Sequence, residues 1–328
     1  MKITMAHGSG GRATTELIEQ TFARYFKNPV LDKMEDSAVV DGSKKIAMTT
    51  DSFVVTPLIF PGGDIGRLSV CGTVNDLLMS GAEPKYLTCG FILEDGADTD
   101  VLEQIVRSMA ETAAEAGVTI VAGDTKVIEG TGGIYINTAG VGFVPEDLQV
   151  SASLCKEGDV VLVSGNLGDH HAAILSTRME IENKIKSDNA PLCEMVEKMK
   201  QSGVEIHAMR DVTRGGLATV LHEFAVSSDC CMEIKESSLP VAGDVKGFCA
   251  LLGLEAMYMG NEGKMIAVIP EKDAQKALEC MRSSRYGENA AVIGTVSHKQ
   301  DKTVLLYTPI GGIRIMTELI GEGLPRIC

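Results

Sequence analysis

The chain has 328 residues, 45 acidic against 30 basic side chains, a formal charge of −15 and nine cysteines. Its length exceeds what one hydrophobic core usually serves and predicts two domains; the acidic balance, with no Lys/Arg cluster, excludes a nucleic-acid backbone as partner. An odd cysteine count without a CxxC pair excludes a disulfide scaffold and a zinc knuckle, and the lack of an apolar run near 20 residues or of a signal core predicts a cytoplasmic protein with no membrane contact.

Along the chain, glycines at 8, 10 and 11 precede a helical pattern over 14–26, readable either as a loop that approaches phosphate or as a plain N-terminal arm. Asp36 stands at the start of a strand-like stretch, and a strand over 45–50 ends in Asp51. Residues 68–79 read as one helix with Asp76 in its middle. Aspartate is a mediocre helix former whose charge is costly to bury, so Asp76 either faces water or binds a cation. Asp36, Asp51 and Asp76 are together the raw material of an oxygen-ligand site of Mg²⁺ type, although each alone reads more readily as a surface or capping acid. A strand over 86–94, a helix over 98–116 and a short strand over 119–122 lead into Asp124 and Lys126. An acid and a lysine at a strand end suit phosphate and metal binding in α/β proteins, with a solvent-facing loop lysine as the alternative.

A strand over 132–144 is broken by Pro145, and the polar segment 145–158 is the expected domain joint. Beyond it lie a buried strand over 160–164, a glycine-rich turn lacking the GxGxxG spacing, and the adjacent His170 and His171, of which at least one is expected in solvent or packing. At Asp211-Val212-Thr213-Arg214-Gly215-Gly216-Leu217 the acid is a candidate metal ligand, the two glycines permit close backbone approach, and the following helix offers its N-terminus. Glu262, between Asn261 and Gly263 ahead of a strand over 264–269, is either a turn carboxylate or a base whose pKa is raised. A helix over 273–283 and strands over 290–297 and 303–307 precede a glycine-containing tail that ends in Cys328. A thiol on a tether suits the carriage of a group between sites; the alternative is an accidental terminal cysteine. The two halves echo one another, and the first is expected to pair strands with a second copy.

Taken together, Thr49-Thr50-Asp51-Ser52, Phe60-Pro61-Gly62-Gly63-Asp64-Ile65-Gly66, Gly72-Thr73-Val74-Asn75-Asp76-Leu77, Ala122-Gly123-Asp124-Thr125-Lys126-Val127, the Asp211 motif from Arg210, Asn261-Glu262-Gly263 and the final Pro325-Arg326-Ile327-Cys328 resemble the HypE family of hydrogenase maturation proteins, the carbamoyl dehydratases. Their ATP-binding superfamily also holds aminoimidazole ribonucleotide synthetase and selenophosphate synthetase. The resemblance implies an α/β (α+β) fold of two domains. These are an N-terminal ATP-binding and dimerisation domain over 1–147, a C-terminal α/β sandwich over 148–310, and a flexible tail over 311–328. It implies a homodimer that uses ATP and Mg²⁺ to dehydrate a carbamoyl group on Cys328 to a thiocyanate, with HypF as carbamoyl donor and a HypC–HypD complex as cyanide acceptor. The catalytic roles then fall to Cys328, Glu262 and Lys126. Asp36, Asp51, Asp76, Asp124, Asn261, Gly215 and Gly216 bind the nucleotide, and Asp51, Asp76 and Asp211 hold the metal. His171 stands where the family usually has glycine, which removes access to positive φ there. A superfamily enzyme acting on a diffusible metabolite, and a thiol carrier without ATP hydrolysis, are the alternatives; the acidic constellation and Lys126 oppose the carrier, and Cys328 opposes the diffusible substrate.

Overall fold

Alternating burial along four strands of the first half builds a sheet with one covered and one open face. The computed structural model describes residues 2–34, 37–300 and 302–318; Asp36 and Cys328 lie outside them. Helix α1 (Arg12–Leu17), a π-helical turn at Ile18–Phe22 and α2 (Ala23–Tyr25) are followed by β1 (Ile46–Phe53), the short pair β2 (Ile59–Phe60) and β3 (Gly63–Asp64), α3 (Ile65–Met79), β4 (Glu83–Glu94), α4 (Thr99–Ala116), β5 (Thr119–Ile128) and β6 (Ile134–Phe143). The sheet order is β1-β6-β4-β5, with only β4 and β5 parallel. Asp64 starts α3 by accepting from Arg67 N at 2.9 Å, the usual service of an N-cap carboxylate. Helices α3 and α4 lie against the covered face, where Leu87, Phe91, Ile134 and Ile136 are buried. The other face carries Ile46, Met48, Ile92 and Ile128, all more than 40% exposed.

The second half contains β7 (Asp159–Val163), α5 (Asp169–Arg178), α6 (Cys193–Gln201), β8 (Ala208–Asp211), α7 (Gly216–Ser227), β9 (Cys231–Lys235), α8 (Gly243–Leu252), β10 (Met265–Pro270), α9 (Ala274–Arg282), β11 (Ala291–Ser297), β12 (Thr303–Tyr307) and β13 (Ile313–Met316). These strands form a seven-stranded sheet in the order β13-β12-β9-β11-β7-β10-β8. The unbroken apolar runs of β7 and β10 are buried on both faces, as a sheet covered on two sides requires. One core cluster runs from Phe91, Ile105 and Met109 to Leu162, Met195 and Ile269, so the halves are packed together. Arg67 also joins them. It donates to Glu115 at 2.8 Å, to Tyr286 Oη at 3.1 Å and to Asn189 O at 2.9 Å.

Three expectations change. Strand β5 does not stop at 122 but runs to Ile128, so Asp124 and Lys126 lie within it rather than beyond its end. Within the stretch expected as tail, Ile313–Met316 pairs antiparallel with β12. At 171 the backbone is helical, and the positive φ of that turn belongs to Gly168 at +87°; a side chain at 171 therefore meets no backbone obstacle, and His171 is buried.

Candidate functional site: an acidic cleft between the sheets

Three elements bring the central acids together. Strand β1 carries Asp51 two residues before its end, on the face turned to α3, and a Cβ placed on Gly72 would lie 3.7 Å from Asp51 Oδ2 and 2.8 Å from the Phe53 ring. Glycine at 72 thus lets β1 settle against the helix one turn before Asp76. The Asp76 carboxylate accepts from Thr49 Oγ1 at 2.8 Å, which ties the helix acid back to the strand. Helix α3 also packs on β8, whose last residue is Asp211, paired across the ladder with Met265. Glu262 stands three residues before Met265. The cleft bounded by Thr49, Asp76, Arg210, Asp211, Arg214 and Glu223 has a volume of about 730 Å³.

Asp51 and Glu262 do not border this cleft but couple to its acids, and the electrostatics distinguish the cluster from an ordinary acidic surface. Burial pushes the carboxyls of Asp51 and Asp76 above the usual aspartate range, against the hydrogen bonds from Ser52 N and Thr49 that favour the ionised forms. Asp211 is pushed up to about 7, first by burial and then by Asp76. Glu262 lies well above the glutamate range, first by burial and then by Asp211, Asp188 and Asp51. Each carboxylate opposes the ionisation of the next, and a divalent cation removes that opposition. Among the described residues no three Asp, Glu, His or Cys side chains converge into a ready-made metal cage. Oxygen donors on separate elements nevertheless fit Mg²⁺, which commonly takes one or two carboxylates and completes its shell with phosphates and water.

Gly215 and Gly216 have φ of +77° and +63° and form the turn into α7, which no side chain caps. A Cβ on Gly216 would strike Met257 O at 2.6 Å, so the tight turn needs glycine. Thr213 and Arg214, just ahead of this helix start, and Thr219 within it line the cleft, so the positive pole of α7 lies beside Arg214. In the sequence Arg214 stands within the Asp211 motif with no role assigned to it. Its charge lowers the pKa of Asp51, Asp76 and Glu262, and no carboxylate among the described residues lies within ion-pair distance of it. The usable signal was a guanidinium immediately before a glycine pair at a helix start.

Two predicted residues are elsewhere. Lys126 and Asp124 pair with each other at 2.9 Å, both side chains 66% exposed, on the open face of β5. The register Asp51–Thr138–Cys89–Gly123 puts that edge three strand spacings, about 14 Å, from Asp51 and on the opposite face of the sheet. Within one chain Lys126 does not reach the acids. Asn261 is fully buried, donating both amide hydrogens to Val212 O and Met259 O at 3.1 Å and accepting from Gly168 N at 2.8 Å. It is spent on backbone and holds Glu262 in place instead of presenting its amide to a ligand.

Comparison with known proteins extends the geometry. Residues 34–144 match the N-terminal domain, and residues 156–306 the C-terminal domain, of AIR synthase related proteins. The carbamoyl dehydratase HypE of Azotobacter vinelandii is 47% identical over 331 residues, covering 99% of this chain and 97% of that protein. A crystal structure of the hydrogenase maturation protein HypE in complex with ATP matches with a TM-score of 0.95 at 45% identity, covering 99% of both chains. A chain of the HypE–HypF complex matches with a TM-score of 0.80 at 47% identity, covering 92% of this chain and 99% of that one. With matches from end to end at this identity, the chain belongs to the HypE family of carbamoyl dehydratases, built on the fold of the AIR synthase related proteins.

Proposed function

We propose that the protein uses ATP to dehydrate an S-carbamoyl group on Cys328 to a thiocyanate, for the assembly of a hydrogenase iron centre. The observation that carries this reading is the cluster in which Glu262, Asp211, Asp76 and Asp51 crowd one another beside Arg214 and the open end of α7, in a chain that matches an ATP-bound HypE from end to end. A carbamoyl oxygen leaves badly as hydroxide. Transfer of a phosphoryl group from ATP to that oxygen turns it into phosphate, and loss of both nitrogen protons as phosphate departs closes the C≡N bond, leaving ADP, phosphate and the S-cyano tail. Glu262 takes a nitrogen proton, a role its raised pKa suits. Arg214 and the end of α7 face the phosphates. Asp51, Asp76 and Asp211 would hold Mg²⁺, which supplies charge neutralisation as the phosphoryl group moves. An apolar cavity of about 150 Å³ lined by Phe22, Phe26, Phe91 and Ile120, with Asp124 at its rim, offers a slot for the nucleobase. It supports placing nucleotide binding in the domain 1–147, joined to an α/β domain that starts near 148.

Lys126 gains a role only if the open face of the first sheet meets a second copy, and we read the protein as a homodimer whose pairing brings Lys126 into use. HypF is the carbamoyl donor in this reading, in line with the HypE–HypF complex formed by a relative, and a HypC–HypD complex takes the cyanide. A reducing cytoplasm suits the eight free cysteines among the described residues. Replacement of Cys328 by alanine tests the reading. ATP binding should persist within about threefold, while phosphate release coupled to carbamoylation should disappear; undiminished coupled release would point to a diffusible substrate.

A further inference from the structure

The loop that carries Glu262 is fastened from behind by residues to which neither motif nor mechanism gives a role. Segment 186–190 lies against Asn75 of α3 and against the loop at 262–264 that leads into β10. Asp188 Oδ1 accepts from Glu262 N at 3.0 Å, and Asp188 Oδ2 lies 3.2 Å from Lys264 Nζ, with side chains only 3% and 8% exposed. Lys264 Nζ in turn donates to Gly263 O at 3.1 Å. One buried ion pair thus holds the amide of residue 262 at one end and the carbonyl of residue 263 at the other. Gly263 makes the arrangement possible, since a Cβ there would run into Asp188 O and lie 2.8 Å from Ala190 N. Asn75, one residue before Asp76 on α3, completes the clamp. It accepts from Leu192 N at 2.9 Å and donates to Ala190 O at 3.0 Å, so the acid helix and the fastening segment move together.

Asp188 and Lys264 do not line the acidic cleft. They border a separate polar cavity on the other side of the loop, with Asp169, Asn166 and Lys186. Their link to the acids is Glu262, whose backbone amide Asp188 accepts from and whose carboxyl feels the Asp188 charge. A buried ion pair is costly to assemble and is no general source of stability, so a pair bonded to the backbone on both sides of one side chain has its plainest use in fixing that side chain.

We propose that Asp188, paired with Lys264, is a positioning residue that fixes the Glu262 loop at the acid cluster and so sets the rate of proton removal from the carbamoyl nitrogen. The inference rests on the reading of Glu262 as the base. Because a displacement near 1 Å at a reacting group costs about 100-fold in rate, Asp188→Ala should slow the single-turnover conversion of carbamoylated to cyanated tail by about 10- to 100-fold. Asp188→Asn, which still offers an oxygen to Glu262 N, should slow it less, and Lys264→Met should resemble Asp188→Ala. The dissociation constant for ATP should stay within about threefold in each. In a Glu262→Gln background the residual rate should fall no further when Asp188 is also replaced. Should Asp188→Ala not fold, Asp188→Asn and Lys264→Met carry the test. A wild-type rate in the Asp188 and Lys264 variants while Glu262→Gln is impaired overturns the positioning role alone. So does a loss confined to ATP affinity, or an undiminished further loss in the Glu262→Gln background. A wild-type rate in Glu262→Gln itself overturns the assignment of the base.

Discussion

Glu262 sits among Asp51, Asp188 and Asp211, while the charge of Arg214 acts to lower its pKa. Burial comes first among the causes that hold its proton, and the three carboxylates add to it. A base must be ionised to act, so the dehydration rate should climb with pH well beyond the range where an exposed glutamate would have finished titrating. Single-turnover rates followed from pH 5 to pH 9 check this, and a rate already level at pH 5.5 would contradict it. Glu262→Gln should retain carbamoylation of the tail and lose about 10²- to 10⁴-fold in the following step, the span usual for general base catalysis.

Among the elements, α5 shows how a departure in sequence becomes a property of stability. His170 and His171 are both buried, and burial lowers each to about 4. His170 Nδ1 lies 2.7 Å from Ser187 Oγ and its ring meets Phe60 edge-on, whereas Nε2 of each histidine has no hydrogen-bond partner. Above pH 6.5 folded and unfolded chains both hold neutral rings, so nothing is lost. As pH falls from 6.5 towards 4, only the unfolded chain gains protons, and stability declines by something on the order of 3 kcal/mol per ring. Thermal melts between pH 7 and pH 4.5 should show this loss, and replacing His171 with glutamine should make it shallower. An unchanged acid dependence in that variant would place the loss elsewhere. The same scale explains what was legible. Acids and glycines at the ends of β1, β8 and α7 announce a site because each is an odd choice for its element. Strand β5 is longer than its sequence suggests because the polar Gly-Asp-Thr-Lys continuation reads as loop, yet an edge strand with one open face tolerates it. Asp188 gave no local signal, since the contact that gives it meaning lies 74 residues away in sequence.

For the molecule as a whole, the alternation that buries one face of the first sheet leaves Ile46, Met48, Ile92 and Ile128 on the other, alongside Tyr86, Val141 and Phe143. Such a face is what a second copy would cover, and Lys126 stands on it. Light scattering should therefore report twice the 34.9 kDa of one chain, and Met48→Glu with Ile92→Glu should yield a folded monomer deficient in dehydration. A wild-type dimer in that variant would contradict pairing through this face. The most direct test of the central claim is intact-protein mass spectrometry after incubation with a matched carbamoyltransferase, carbamoyl phosphate and Mg-ATP. The account predicts a carbamoyl adduct at Cys328 that then loses one water only when ATP can be hydrolysed; the absence of any adduct beside an active transferase, or water loss without ATP, would contradict it.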